Sequence, residues 1–182
     1  ILCFKHTAKV KNKWFDCCIL TIKEYFCSKN KGKMEDNIQF KHTLPVQLRF
    51  SDVDQFGHVN NSVYFSLYDL AKTTYLNDVM EGKVDWRKTG IVVANVQANF
   101  FSPIFFSEKV AIQTATTRIG NKSFTLVQRA VNTETGEVKC VCQTVMVGYN
   151  IATKQSQPIS EACKAAICEF EGREELICGK SV

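Results

Sequence analysis

The chain reads as an α+β domain in which one long central helix is wrapped by a curved antiparallel sheet of five strands. Three observations predict this. An aromatic-rich helical stretch from about residue 61 to 80 is apolar over most of its circumference. Period-two alternation then takes over and persists from Val92 to Tyr149. Turn signals at Pro103, Gly120-Asn121 and Thr133-Glu134-Thr135-Gly136 cut that stretch into four strands. One strand, one buried helix and four further strands are resolved most simply by a single sheet closing over the helix.

The first strand is placed at Thr43–Phe50, where Leu44, Val46, Leu48 and Phe50 alternate with Pro45, Gln47 and Arg49. Pro45 donates no ladder hydrogen bond, which suits an edge or a strand entrance. Asn60, Asn61 and Ser62 are N-cap candidates for the helix, which runs to about Met80. Its polar positions, Ser66, Asp69, Lys72, Thr73 and Asn77, form one narrow stripe. The remaining positions need cover from other structure.

In the second strand Val92, Ala94, Val96, Ala98 and Phe100 form one face. The third, fourth and fifth fall at about Lys109–Arg118, Ser123–Val131 and Val138–Tyr149, and a short terminal helix at Ile159 to about Phe170. A sheet of this kind leaves open edges, which pairing with a second copy would cover.

With 182 residues and 45% hydrophobic content the chain can bury one real core. No apolar run is long enough to cross a membrane as a helix. The net charge of +5 invites a nucleic-acid partner, but it is unevenly placed. Residues 1–33 hold eight Lys against Asp16 and Glu24, whereas the chain from Met34 onward is close to neutral and has no basic face forced on it. The first 33 residues lack a sustained helical or strand period and are expected to lie outside the functional domain, which is placed at residues 34–158, with a helical tail over 159–182. Nine cysteines without a CxxC pair or a zinc-type His/Cys array imply core thiols in a reducing, cytoplasmic setting, and no metal site.

The segment from Arg49 to Asn61, RFSDVDQFGHVNN, carries the chemistry. It sets a carboxylate just ahead of a helix start, where backbone N–H groups lack intrahelical partners and the dipole is positive, so a developing oxyanion can be held beside an acid. A calcium loop is excluded, because Phe56 and Val63 stand where oxygen ligands are required. The Asp-x-Asp pattern of dehalogenase-like phosphatases is not followed by the βαβ series that fold needs, and no Gly-x-Ser-x-Gly elbow occurs. The same residues also suit a plain turn, with Asp and Gly satisfying backbone groups and the Asn pair capping the helix.

With the helix and strands that follow it, Phe50-x-Asp52-x-Asp54-x-x-Gly57-His58-Val59-Asn60-Asn61-x-x-Tyr64 resembles the hotdog-fold thioesterases of the 4-hydroxybenzoyl-CoA thioesterase superfamily. The likeness continues through Arg118-Ile119-Gly120-x-x-Ser123-Phe124 and covers roughly residues 44–151. The resemblance implies a hotdog fold and hydrolysis of an acyl-CoA thioester. It places the catalytic carboxylate on Asp54, the oxyanion donor on the backbone N–H of Asn61, and an orienting role on His58. Arg118, Lys122 and Ser123 fall where such enzymes meet the nucleotide of CoA, though an ordinary solvated turn reads the same way. The implied protein needs no cofactor beyond the CoA of its substrate, binds neither nucleic acid nor membrane, and is a homodimer or homotetramer with sites between subunits. An acyl-carrier-protein thioesterase and a non-catalytic acyl-CoA-binding module are the rival readings.

Overall fold

A computed structural model describes residues 38–82 and 90–176, apart from the side chain of Glu175. The expected extension over residues 1–33 lies outside the described residues. Strand β1 (His42–Val46) and a short 3-10 turn (Phe50–Asp52) lead into helix α1 (Asn61–Val79). Strands β2 (Ile91–Phe100), β3 (Val110–Ile119), β4 (Ser123–Asn132) and β5 (Val138–Asn150) follow, then a two-residue strand β6 (Gln155–Ser156), helix α2 (Glu161–Glu171) and a final 3-10 turn. The sheet is antiparallel throughout, in the order β1-β3-β4-β5-β2, with β6 paired to β5. This is the α+β hotdog arrangement that the sequence predicts.

Helix α1 begins where Asn60 turns its side chain inward to accept the Ser62 N–H at 3.0 Å. Tyr64, Leu67, Tyr68, Ala71, Tyr75, Leu76 and Val79 are buried at spacings of three and four, so they share one face. Each large apolar side chain removed from water contributes roughly 1.5–3 kcal/mol. Hydrogen bonds then fix the rotation of the helix on the sheet. The Tyr68 hydroxyl donates to the Cys140 carbonyl at 3.0 Å, and Gln128 Nε2 donates to the Tyr68 carbonyl at 3.0 Å. Phe65 and Leu70 remain exposed, so the sheet covers less of the helix than its composition suggests.

Strand β1 stops at Val46, short of the expected Phe50. Val46 pairs with Val110, the first residue of β3, so no partner continues beyond it; further on, the Asp52 carboxylate accepts the Arg49 N–H at 2.7 Å where Phe50–Asp52 form a 3-10 turn, and the Phe50 ring is exposed. In β2 the register shifts between Val93 and Asn95. Val96, Ala98 and Phe100 sit opposite Thr144, Cys142 and Cys140, but beyond the bulge Val93 and Ile91 take the same face opposite Met146 and Gly148. Val92 therefore points to the other face, and the unbroken alternation expected from Val92 to Phe100 does not hold.

Two clusters fill the space between helix and sheet. Val59, Tyr64, Leu67, Tyr68, Ile104, Val110 and Ile112 pack around the start of α1. Tyr75, Val79, Ile119, Phe124 and Met146 pack around its end, together with Ile159, Cys163 and Ile167 of the α2 segment. The second helix is capped by Ser160, whose Oγ accepts the Cys163 N–H, and closes on Gly172 in the left-handed conformation. Its last residue, Glu171, is buried and accepts from the Tyr75 hydroxyl at 2.7 Å and the Thr116 N–H at 2.8 Å.

His42 lies beside this point, with its ring edge-on to Tyr75 at 5.7 Å and Nε2 3.6 Å from Asp78. Burial lowers its pKa, and the opposing pull of Asp78 and Glu171 is too weak to restore it. The unfolded chain takes up this proton near pH 6.5 and the folded chain only at lower pH, so stability is expected to decline as pH falls below about 6.5. Urea denaturation at several pH values checks this: His42→Phe should show a shallower decline than the wild type.

Candidate active site

Residues 52–54 and 58–60 run back to back as a two-stranded ribbon ahead of α1. Val53 bridges Val59, the Asp54 N–H donates to the His58 carbonyl at 2.8 Å, and the Asn60 N–H donates to the Asp52 carbonyl at 2.9 Å. The turn between them closes with the Gly57 N–H on the Asp54 carbonyl and Gly57 at φ +78, a left-handed conformation that suits glycine. Asp54 occupies the closing pair of this ribbon and Asn61 is the first residue of the helix that leaves it.

The Asp54 side chain, half-buried, has two distinct oxygens. Oδ1 accepts the Phe56 N–H at 2.8 Å and the His58 N–H at 3.2 Å. Oδ2 has no hydrogen-bond partner among the described residues. Oδ1 thus closes the turn, as the turn reading requires. Asp52 is different: its Oδ2 holds the N–H of Arg49.

At the helix start, the Ser62 N–H goes to Asn60 Oδ1 and the Val63 N–H to the Asn60 carbonyl. The N–H of Asn61 has no acceptor among the described residues. It lies at the positive end of a 19-residue helix.

His58 takes part through its backbone, which donates to Asp54, while its ring stands edge-on to Phe105 at 5.1 Å. The segment carrying Phe105 was not legible as part of a site. It joins β2 to β3, bridges His58 through Phe105, and accepts the Val59 N–H on the Ile104 carbonyl at 2.8 Å. The available signal was the aromatic run from Phe100 to Phe106 around Pro103, which reads as a strand break.

Arg118, Lys122 and Ser123 lie at the β3–β4 turn, with Arg118 and Lys122 exposed and Lys122 Nζ 3.4 Å from Ser156 Oγ. This turn packs with the end of α1 through Ile119 and Phe124, whereas the Asp54 ribbon packs with its start through Val59. Within one chain the two sets are separated by the length of the helix, about 28 Å.

The described thiols do not belong to the site. Cys140, Cys142, Cys163 and Cys168 are all buried, and burial pushes the Cys140 thiol up to about 12, out of nucleophilic range. Among the described residues no group of three or more His, Cys, Asp and Glu side chains is arranged to hold a metal ion. No described helix is long and apolar enough to cross a membrane.

The sequence profile of the thioesterase-like superfamily matches residues 48–167, from the end of the first strand into α2. The chain belongs to this superfamily. A Bacillus subtilis (strain 168) relative, the uncharacterized protein YsmA, is 33% identical over 135 residues, covering 72% of this chain and 82% of its own. Among solved structures, a Thermus thermophilus thioesterase complexed with coenzyme A and Zn aligns at TM-score 0.66 and 28% identity, covering 74% of this chain and 96% of that one. A 1,4-dihydroxy-2-naphthoyl-CoA thioesterase from Synechocystis aligns at TM-score 0.63 and 16% identity over 70% of this chain and 96% of its own, a likeness of fold. The superfamily match includes the whole ribbon that presents Asp54 and Asn61.

Gly57 has no heavy atom within 4 Å of an added Cβ, so Gly57→Ala tests the backbone alone. The substitution should cost about 1–2 kcal/mol in urea denaturation, and Gly57→Asn less, because Asn tolerates the left-handed region.

Proposed function

We propose that the protein is an acyl-CoA thioesterase, converting RCO–S–CoA and water to a carboxylate and free CoA without a metal or redox cofactor. The observation that carries this reading is the Asp54 carboxylate, held by two N–H groups on Oδ1 with Oδ2 without a partner among the described residues, on the ribbon that leads into the helix start at Asn61, whose N–H has no acceptor among them either. Oδ2 either adds to the thioester carbonyl or removes a proton from the attacking water. In both routes the carbonyl oxygen becomes an oxyanion, and a fixed N–H donor at that point contributes a factor on the order of 10²–10³ in rate. A thiolate is a far better leaving group than an alkoxide, so no strong general acid is required. The CoA complex of the Thermus relative supports the substrate class, and the buried thiols suit a cytoplasmic location.

The reading includes a second copy of the chain. Strand β2 is the last strand of the sheet and exposes Val92, Val93 and Val96, each more than two-fifths accessible. Pairing two β2 strands antiparallel turns the second copy end for end, so its β3–β4 turn comes to the level of the first copy's Asp54 ribbon. Arg118, Lys122 and Ser123 of one copy would then meet the CoA whose thioester lies at Asp54 of the other, as a homodimer or a tetramer of such pairs.

Asp54→Asn keeps the acceptor for the Phe56 and His58 N–H groups while removing the charge. Thiol release from a panel of acyl-CoA esters should fall by roughly 10²–10⁴-fold with the fold unchanged, and equal rates in both proteins would exclude Asp54. Val92→Lys combined with Val96→Lys places charge on the open edge. Sedimentation should show a smaller species, and thiol release should fall in parallel.

A further inference from the structure

The connection from β2 to β3 (residues 101–109) has no place in the sheet, yet it backs the Asp54 ribbon through Ile104 and Phe105. Its own support is an ionic network beneath it. Lys139, at the start of β5, has a side chain only 4% exposed, and its Nζ lies 2.7 Å from Glu108 Oε1 and 2.8 Å from Glu137 Oε2. Glu108 also accepts from Asn132 Nδ2 at 3.0 Å and, on Oε2, from the Phe105 N–H at 2.8 Å. Glu137 accepts from Ser102 Oγ at 2.7 Å, and the Lys139 carbonyl accepts the N–H groups of Phe101 and Ser102. Both ends of the connection are thus held by one buried ammonium and its two carboxylates.

We propose that Lys139 and Glu108 are positioning residues for the Asp54 carboxylate, an inference that rests on the thioesterase reading of that group. The linkage is continuous: Glu108 holds the Phe105 N–H, Phe105 bridges His58 through its backbone and stacks edge-on against its ring, and the His58 N–H holds Asp54 Oδ1. A buried ion pair is not needed for stability as such, since an apolar replacement of similar volume often serves equally well. What an ion pair of this geometry supplies is a fixed arrangement. Burial disfavours the ionised Glu108 carboxyl, but Lys139, the Phe105 N–H and Asn132 outweigh that and hold its pKa below the ordinary glutamate value. Burial likewise opposes the Lys139 charge, and Glu108 and Glu137 outweigh it. The Lys139–Glu108 pair is therefore ionised throughout the neutral range and remains a constant support rather than a switch.

The test uses the full chain with Lys139→Met, Lys139→Arg and Glu108→Gln. Steady-state thiol release from one acyl-CoA ester is measured together with the amide resonances of Phe56 and His58, the two N–H groups on Asp54 Oδ1. Misplacing a catalytic group by about 1 Å costs on the order of 10²-fold. Lys139→Met and Glu108→Gln should therefore lower kcat by about 10–100-fold with KM within about twofold. The Phe56 and His58 resonances should move, and Lys139→Arg should recover part of both. Unchanged kcat and unmoved resonances in Glu108→Gln, which keeps an oxygen acceptor and a similar volume, would overturn the proposal. So would a rise in KM alone. If the wild type hydrolyses no CoA ester, the thioesterase reading fails separately, and the amide resonances still decide the linkage: moved supports it, unmoved overturns it.

Discussion

The position of helix α1 on the sheet is the constraint on which the rest of the molecule depends. Seven buried side chains hold it there, but apolar burial alone would tolerate sliding and rotation. Polar anchors at two levels remove that freedom: Tyr68 with Cys140 and Gln128, and Tyr75 with Thr116 and Glu171. Each neutral bond contributes only about 1 kcal/mol net, but losing one partner inside the core leaves a buried polar group unsatisfied, which costs more. The helix is consequently fixed at two points along its length, and the direction of its first N–H groups is fixed with it.

That fixed helix start gives the Asp54 ribbon its meaning. A carboxylate that only closed a turn would need one oxygen, and Oδ1 alone satisfies Phe56 and His58. The second oxygen is held in place by the first without being used by it. The proposed hydrolysis would use such a held carboxylate together with a fixed N–H donor at the helix start, the combination that electrostatic preorganisation requires. The connection through Ile104 and Phe105 extends the rigidity backwards, so that the ribbon is braced on the side away from the helix.

Much of this was legible in the residues. The helix boundaries, the four strand segments after it and the Asn cap all follow from periodicity and turn chemistry, because those signals are local and agree with the final packing. Where the sequence misled, strand pairing prevailed over a longer alternating pattern. The partner of β1 begins opposite Val46 and so ended it early, and the β2 bulge moved Val92 to the other face. The Asp54 turn announced itself through Asp, Gly and Asn at characteristic spacings. Its supports did not, since Glu108, Asn132 and Lys139 come together only through strand pairing. The distance between Asp54 and Arg118 within one chain was equally hidden, because sequence order does not show that the β3–β4 turn lies at the far end of α1.

The proposed reaction receives a thioester carbonyl between Asp54 and the N–H of Asn61. The most direct measurement is a titration of the ¹⁵N-labelled protein with a non-hydrolysable acyl-CoA analogue in which a methylene replaces the thioester sulfur. A saturable change confined to Asn61 and the amides of the Asp54 turn, and with it the residues around Arg118, would be the predicted result. Saturable binding that leaves the Asn61 resonance where it was would contradict that placement and remove the helix start from the chemistry.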